Sequence, residues 1–376
     1  MELSPIYLLS FLLTFQLLFV GIFLITHKKG NRRNNTLLGT LFILIAWNIG
    51  GLTLQMNGVV LKWEFLLHID DGFFLLYGPI IYLYARGVIY RDFKLSGRNL
   101  LHLIPYLLLT ILLLSLRDLT PGTSEEIIQN ELPWQFYLIS AIMYAHFYVY
   151  LGLTYKSLQK YRQIIKNKYS LIDQINLDWL SFSLNTFGIV AFVSLIQNFI
   201  GLTRNRAVFI VTLALFLIFV FYFVNKVIFK ALRQPEIFAG ITQYETTKYL
   251  GSNLTSGHIE AYRKELLDLF SADKPFLDPQ LSLADLSEKL SVSTKHLSQV
   301  INQSFNKSFF DFINTYRIQE VQHILIESVD EKLTVLEAMY KVGFNSKSSF
   351  NTAFKKETGQ TPTEFRKTIS QIRSTS

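Results

Sequence analysis

Thr334-Val-Leu-Glu-Ala-Met-Tyr-Lys-Val-Gly-Phe-Asn-Ser-Lys-Ser-Ser-Phe-Asn-Thr-Ala-Phe-Lys-Lys-Glu-Thr358 is the stretch from which the C-terminal third of this chain is read. Thr334 and Glu337 stand three apart at a helix start, the spacing of a capping box. Val335–Lys341 reads as a short helix and Val342-Gly-Phe-Asn345 as a turn; Asn345-Ser346 then starts a second helix, Lys347–Thr358. Gly359 suits the left-handed position past its end. Phe350, Ala353 and Phe354 recur at helical spacing and predict a buried stripe. What remains exposed is short and polar: Lys347, Ser348, Asn351, Thr352 and Lys355. Two helices joined by a tight turn, the second with a polar outer face, form a helix-turn-helix. In such a unit the second helix enters the major groove of DNA. Asn pairs bidentately with adenine there, and Lys reaches guanine or phosphate.

The same layout stands upstream. Ser282-Leu-Ala-Asp285 opens the short helix Leu283–Leu290, Ser291-Val292 makes the turn, and Ser293 caps Thr294–Phe305. Leu297, Val300, Ile301 and Phe305 form the predicted inner stripe, leaving Lys295, Ser298, Gln299 and Asn302 as its reading face. The N-caps of the two readers lie 53 residues apart. Phe309–Ile326 between them reads as one helix, about 27 Å long at 1.5 Å per residue. Neighbouring major-groove faces are about 34 Å apart, so one chain can place both readers on one DNA face. Thr361-Pro-Thr-Glu364 starts a last helix with Pro at its first position. Residues 341–376 hold 7 Lys and Arg against 2 Asp and Glu, whereas residues 257–340 hold 8 against 13. Phosphate attraction therefore belongs to the second unit.

Residues 259–369 resemble the DNA-binding domain of the AraC/XylS family. The likeness is carried by Asp311-Phe-Ile-Asn-Thr-Tyr-Arg-Ile318, Val342-Gly-Phe-Asn-Ser-Lys-Ser-Ser-Phe350, Phe354-Lys-Lys-Glu-Thr-Gly-Gln-Thr-Pro362 and Phe365-Arg366. It implies two helix-turn-helix subdomains joined by a linker helix, with base contacts from the nine reading positions named above. The family usually carries Ala where this chain has Ser287 and Met339, and Gly or Asn in the first turn, where this chain has Ser291.

The rest of the chain is of another kind. Across 376 residues the composition is 50% hydrophobic and 17% charged, with mean hydropathy +0.28, and a soluble domain is usually about 25% charged. The seven apolar stretches Pro5–Ile25, Thr36–Gln55, Glu64–Ala85, Asn99–Leu116, Gln135–Tyr155, Leu177–Gly201 and Ala207–Asn225 are predicted as membrane spans. The first lacks a basic leader and a cleavage site, so it is expected to be retained. The predicted fold class is all-α: a seven-helix transmembrane bundle, residues 1–230, a linker, 231–257, and a double helix-turn-helix domain, 258–370. The whole net charge of +8 belongs to residues 1–256. The loops after the first, third, fifth and seventh spans hold 16 Lys and Arg, the others 4. Positive-inside then places the N-terminus outside and the C-terminus in the cytoplasm. Gly78-Pro-Ile-Ile-Tyr-Leu-Tyr84, His102-Leu-Ile-Pro-Tyr106 and Pro235-Glu-Ile-Phe238 give this half a weaker likeness to the seven-helix segment fused to such domains in some bacterial regulators.

Polar residues inside a bilayer are costly and mark sites by default. His68, Asp70 and Asp71 are the candidate signal site, against a simpler reading of the acidic pair as a wet helix start. Asn48, His102, His146, Gln197 and Asn198 read better as glue between helices. In the loop 156–176, Leu158, Tyr161, Ile165, Tyr169 and Ile172 recur at helical spacing with basic residues between. That pattern extends the fifth span, and it suits contact with the C-terminal module and adsorption to anionic lipid equally.

No catalytic residue, metal site or cofactor is predicted. The chain has no Cys, no His-Glu-x-x-His, no Gly-x-Ser-x-Gly and no phosphate-cradling Gly loop. Asp70 and Asp71 point about 100° apart on a helix, unlike a facing carboxylate pair. The expected partners are double-stranded promoter DNA, the lipid bilayer, an unidentified signal ligand, a second copy of the chain and RNA polymerase. The expected location is the bacterial cytoplasmic membrane. The alternative, a transporter or channel with the DNA module appended, is weakened by scarce intramembrane charge and by the lack of an inverted repeat.

Overall fold

The computed structural model describes residues 5–27, 31–56, 72–115, 134–173, 175–201, 205–232, 254–328 and 333–374. They fall into two compact units: Met1–Gln159 with Leu177–Gln243, and Lys160–Asn176 with Tyr244–Ser376. Among the described residues the chain is all-helical, with one isolated β-bridge between Tyr169 and Ser282.

The first unit holds α1 (Pro5–Thr26), α2 (Arg32–Met56), α3 (Phe74–Ile89), α4 (Ile104–Ser115), α5 (Trp134–Lys166, continuing into the second unit), α6 (Asp178–Gly201) and α7 (Arg206–Leu232). Five of them, α1, α2, α5, α6 and α7, are long and apolar enough to cross a membrane. The third and fourth apolar helices fall short among the described residues. The described third helix starts at Phe74, so its expected start at Glu64 and the candidates His68, Asp70 and Asp71 lie outside the described residues. The fourth was expected as one helix from Asn99. It opens instead as a 3-10 turn, Gly97–Leu103, and becomes α-helical at Ile104. Pro105 marks the change: it lacks an N–H, and the first turn of an α-helix is where that loss costs least.

Packing in this unit is close where side chains are smallest. A Cβ on Gly39 would stand 2.6 Å from the Gly21 carbonyl, and one on Gly21 would stand 2.9 Å from the Gly39 carbonyl, so α1 and α2 meet backbone to backbone. Polar side chains tie further pairs. Gln16 Nε2 donates to Asn225 Oδ1 at 2.9 Å, and Asn198 Nδ2 donates to the Tyr144 hydroxyl at 2.9 Å. His102 Nδ1 lies 2.6 Å from the Tyr150 hydroxyl, and Gln197 Nε2 donates to the Phe209 carbonyl at 3.2 Å. Outward the unit is apolar: α1 buries Leu13 and Leu17 but exposes Leu8, Phe11, Leu12, Phe15 and Phe19. In water such a surface would aggregate, whereas hydrocarbon matches it.

The second unit holds α8 (Ser256–Asp273), α9 (Leu283–Lys289), α10 (Thr294–Phe305), α11 (Phe309–Glu327), α12 (Val335–Lys341), α13 (Lys347–Thr358) and α14 (Pro362–Ser374). Its boundaries follow the capping chemistry. Asp285 N donates to Ser282 Oγ at 3.2 Å while Ser282 N donates to Asp285 Oδ2 at 2.8 Å; Thr334 and Glu337 do the same at 3.1 and 2.7 Å. Each box satisfies two donors that a helix start would otherwise leave bare. The linker helix α11 serves two cores. Phe309, Phe312 and Ile313 pack with Leu266, Phe270, Leu286, Leu297 and Ile301; Ile318, Val321 and Leu325 pack with Met339, Phe344, Phe350 and Phe354. Residues 160–176 belong to this unit, with Tyr161, Ile165 and Ile172 buried and Tyr169 exposed.

Candidate nucleic-acid interface

The two turns are built alike from different residues. Val292 N donates to the Ser287 carbonyl at 3.0 Å, and Phe344 N donates to the Met339 carbonyl at 3.2 Å. The residue before each donor is left-handed: Ser291 at φ 54° and Gly343 at φ 88°. At Gly343 the backbone also needs the space, since a Cβ would stand 2.7 Å from the Leu277 carbonyl. Met339, where the family resemblance implies Ala, is absorbed into the second core at 1% exposure. Ser287 is buried too, and its Oγ has no hydrogen-bond partner among the described residues.

Ser346 caps α13, accepting from Ser349 N at 3.4 Å. Phe350, Ala353 and Phe354 face inward. Lys347, Ser348, Asn351, Thr352 and Lys355 are all exposed and share the opposite side. The second reader thus presents two ammonium groups, an amide and two hydroxyls to solvent, a set suited to phosphate and base edges.

The first reader is less open. Asn302 is exposed, whereas Lys295 and Gln299 are half-buried and Ser298 is only 6% exposed. The expectation of an exposed Ser298 is therefore corrected. At about 100° per residue, Ser298 lies only some 20° around the helix from Phe305, on the flank of the inner stripe. Asn302 Nδ2 also closes over it, donating to the Ser298 carbonyl at 2.7 Å and to its Oγ at 3.3 Å.

Ionic contacts join the linker to the second reader. Lys307 Nζ approaches Glu357 Oε1 at 3.1 Å, and Lys356 Nζ approaches Asp311 Oδ1 at 2.7 Å. Burial pushes the Asp311 carboxyl up, but hydrogen bonds from Lys356 and Ser308 and the nearby Lys356 and Lys166 charges bring it below its ordinary value. Deeper in, Arg317 is 1% exposed. Its Nε donates to the Phe276 carbonyl and its Nη2 to the Asp278 carbonyl, each at 2.7 Å, and its guanidinium lies 5.6 Å from the Phe344 ring centroid. Burial pulls it down to about 10 against the opposing charge of Asp278, so it stays ionised at neutral pH. The linker motif contained Arg317 and Asp311, but periodicity gave neither a role. Only tertiary contacts show that one joins the two cores and the other ties the linker to the second reader.

A family model described as a helix-turn-helix domain matches residues 286–368. The chain is 33% identical over 89 residues to the Msm operon regulatory protein of Streptococcus mutans, covering 24% of this chain and 31% of that one. It is 36% identical over 86 residues to an HTH-type transcriptional regulator of Staphylococcus aureus, 23% of this chain and 11% of that one. It is 31% identical over 90 residues to an HTH-type transcriptional regulator of Pseudoalteromonas carrageenovora, 24% of this chain and 51% of that one. The match thus spans between a tenth and about half of those relatives. Among solved structures, the C-terminal domain of AraT, a response regulator from Geobacillus stearothermophilus, is similar at 28% identity over 31% of this chain and 88% of that one, with a TM-score of 0.25. Residues 286–368 are a helix-turn-helix domain joined to a chain with several apolar helices.

Proposed function

We propose that this chain is a membrane-tethered, sequence-specific DNA-binding transcriptional regulator whose reading module is of the AraC/XylS type. The observation that carries this is α13. Within a matched helix-turn-helix domain, one helix presents Lys347, Ser348, Asn351, Thr352 and Lys355 together, at the basic end of a module whose other half is acidic. The transcriptional regulators with similar helix-turn-helix regions support the same reading. Five long apolar helices, two shorter ones and an outward apolar surface support tethering. The bias of Lys and Arg between loops supports seven spans in the bacterial cytoplasmic membrane, with the N-terminus outside and the module in the cytoplasm. In this reading α10 contributes Lys295, Gln299 and Asn302 to a second groove. The membrane unit responds to a signal, with His68, Asp70 and Asp71 as its candidate site. The regulator works with promoter DNA, RNA polymerase and a second copy of itself.

The test is occupancy of genomic DNA by the full chain in its own membrane. Discrete sites that disappear in Lys347→Ala and Asn351→Ala are expected. No discrete sites, or a reporter after Ser376 active only outside the cytoplasm, would reject the proposal.

A further inference from the structure

Residues 168–173 lie against both helix-turn-helix units at once. Leu283 N, one of the bare donors at the start of α9, donates to the Lys168 carbonyl at 2.9 Å. Ser170 N and Oγ both donate to the Leu281 carbonyl, at 3.3 and 2.5 Å, beside the Tyr169–Ser282 bridge. Ser170 Oγ in turn accepts from Arg317 Nη2 at 3.4 Å. Asp173 accepts a hydrogen bond from the hydroxyl of Ser349, in the first turn of the second reader. One short segment therefore touches the first unit, the buried arginine of the linker and the second unit.

The segment is preformed. Tyr161 at the end of α5 donates its hydroxyl to the Ile175 carbonyl at 2.5 Å, and Arg162 Nε donates to the Asn176 carbonyl at 3.0 Å. The loop is thus closed onto the helix that carries it, and Ser170 and Ile172 are buried. Its docking leaves the reading face of α13 clear: Lys347, Ser348, Asn351, Thr352 and Lys355 are exposed with the segment in place. Ser349 lies about 100° from Ser348 on the helix, on the flank toward Ala353. An occupant that covered the bases' approach would be a plug. This one spans the two units from the side.

We infer that the surface formed by Leu281, Ser282, Leu283, Arg317 and Ser349 is a docking site whose partner is the chain's own segment 168–173. Seated there, the segment fixes the mutual angle of the two reading helices. It rests on the reading of α10 and α13 as DNA-reading helices. The segment is continuous with α5 on one side and leads through Leu177 into α6 on the other. Any displacement of those helices that withdraws it frees the angle between the readers.

The experiment exploits the absence of Cys from the sequence. Spin labels at Gln303→Cys on α10 and Gln360→Cys beyond α13 report one distance in the full chain, reconstituted in lipid nanodiscs. A single narrow distance distribution is expected. It should broaden when Ser170→Ala and Asp173→Ala are combined, and again when residues 168–173 are replaced by Gly and Ser at equal length. A distribution unchanged by both variants overturns the inference. A second measurement tests the docked pose itself: Asp173→Cys with Ser349→Cys should form a disulfide in native membranes, and failure to exceed the pair Asp173→Cys with Thr368→Cys overturns it. Neither readout uses DNA. A chain that passes both and still occupies no genomic site would remove the regulator reading and leave the docking intact.

Discussion

Arg317 gives one of its guanidinium hydrogen bonds to the Asp278 carbonyl at 2.7 Å, and that contact stands where α11 changes from one core to the other. Ile313 before it is packed in the first core and Ile318 after it in the second. A buried cation is costly unless its donors are filled. Here two carbonyls, a hydroxyl and an aromatic face surround it. The linker is therefore more than a spacer: its centre is tied to both cores by one charged side chain.

Arg317→Ala should cost about 3–5 kcal/mol, because it leaves the buried Phe276 carbonyl without its donor, removes one of the two donors to the Asp278 carbonyl and opens a cavity. Arg317→Lys should recover little of this, since a single ammonium cannot reproduce the planar fork. Hydrogen exchange of α11 in the full chain is the measurement. Protection lost in both variants is expected, and near-parent protection in Arg317→Lys would contradict the bidentate account.

The two turns should respond oppositely to glycine chemistry. Gly343→Ala meets both a left-handed backbone and the Leu277 carbonyl, and should destabilise the second unit by at least about 2 kcal/mol. Ser291→Gly relieves a left-handed non-glycine residue, and should stabilise the first unit by up to about 1 kcal/mol after the entropy of the added glycine is counted. Local exchange rates of α9 and α12 separate the two effects.

Much of the module is legible in its local sequence. Ser293, Thr334, Ser346 and Gly359 mark helix ends by local chemistry, and the observed helices begin and end at those marks. Amphipathic spacing likewise placed Phe350, Ala353 and Phe354 inside. What local chemistry does not encode is contact between distant segments. Ser170 and Leu281 are 111 residues apart, and Asp173 and Ser349 are 176 apart, so the pattern in 156–176 fitted two environments equally well. Ser298 is illegible for a related reason. A polar side chain on the flank of a helix is exposed or covered according to its neighbours, and Asn302 covers it.

The Asp311–Lys356 contact predicts a pH dependence. The Asp311 carboxyl in the folded chain lies below its ordinary value of 3.8, so it contributes stability that is full above that value and lost as pH falls through the lower folded one. For a partly exposed ion pair the contribution is about 1 kcal/mol. Asp311→Asn should remove it at neutral pH and leave little difference from the parent at strongly acid pH. An equal gap at both would show that the carboxylate charge is not what matters. Unfolding monitored by exchange of α13, the helix carrying Lys356, reads the difference.

The readers should contribute unequally to DNA binding. Lys347→Ala should weaken binding to all sequences alike and reduce the salt slope by about 1, as expected for a phosphate contact. Asn351→Ala should cost about 1–3 kcal/mol and relax discrimination at one base pair. Asn302→Ala should cost less, because the Asn302 amide is engaged with the Ser298 carbonyl and must leave it before reaching a base. Binding of the full chain to one occupied genomic fragment, titrated over a range of salt, tests all three. If Asn302→Ala proved as costly as Asn351→Ala, the first reader would have to rearrange on DNA, and the half-buried face seen here would not be its bound form.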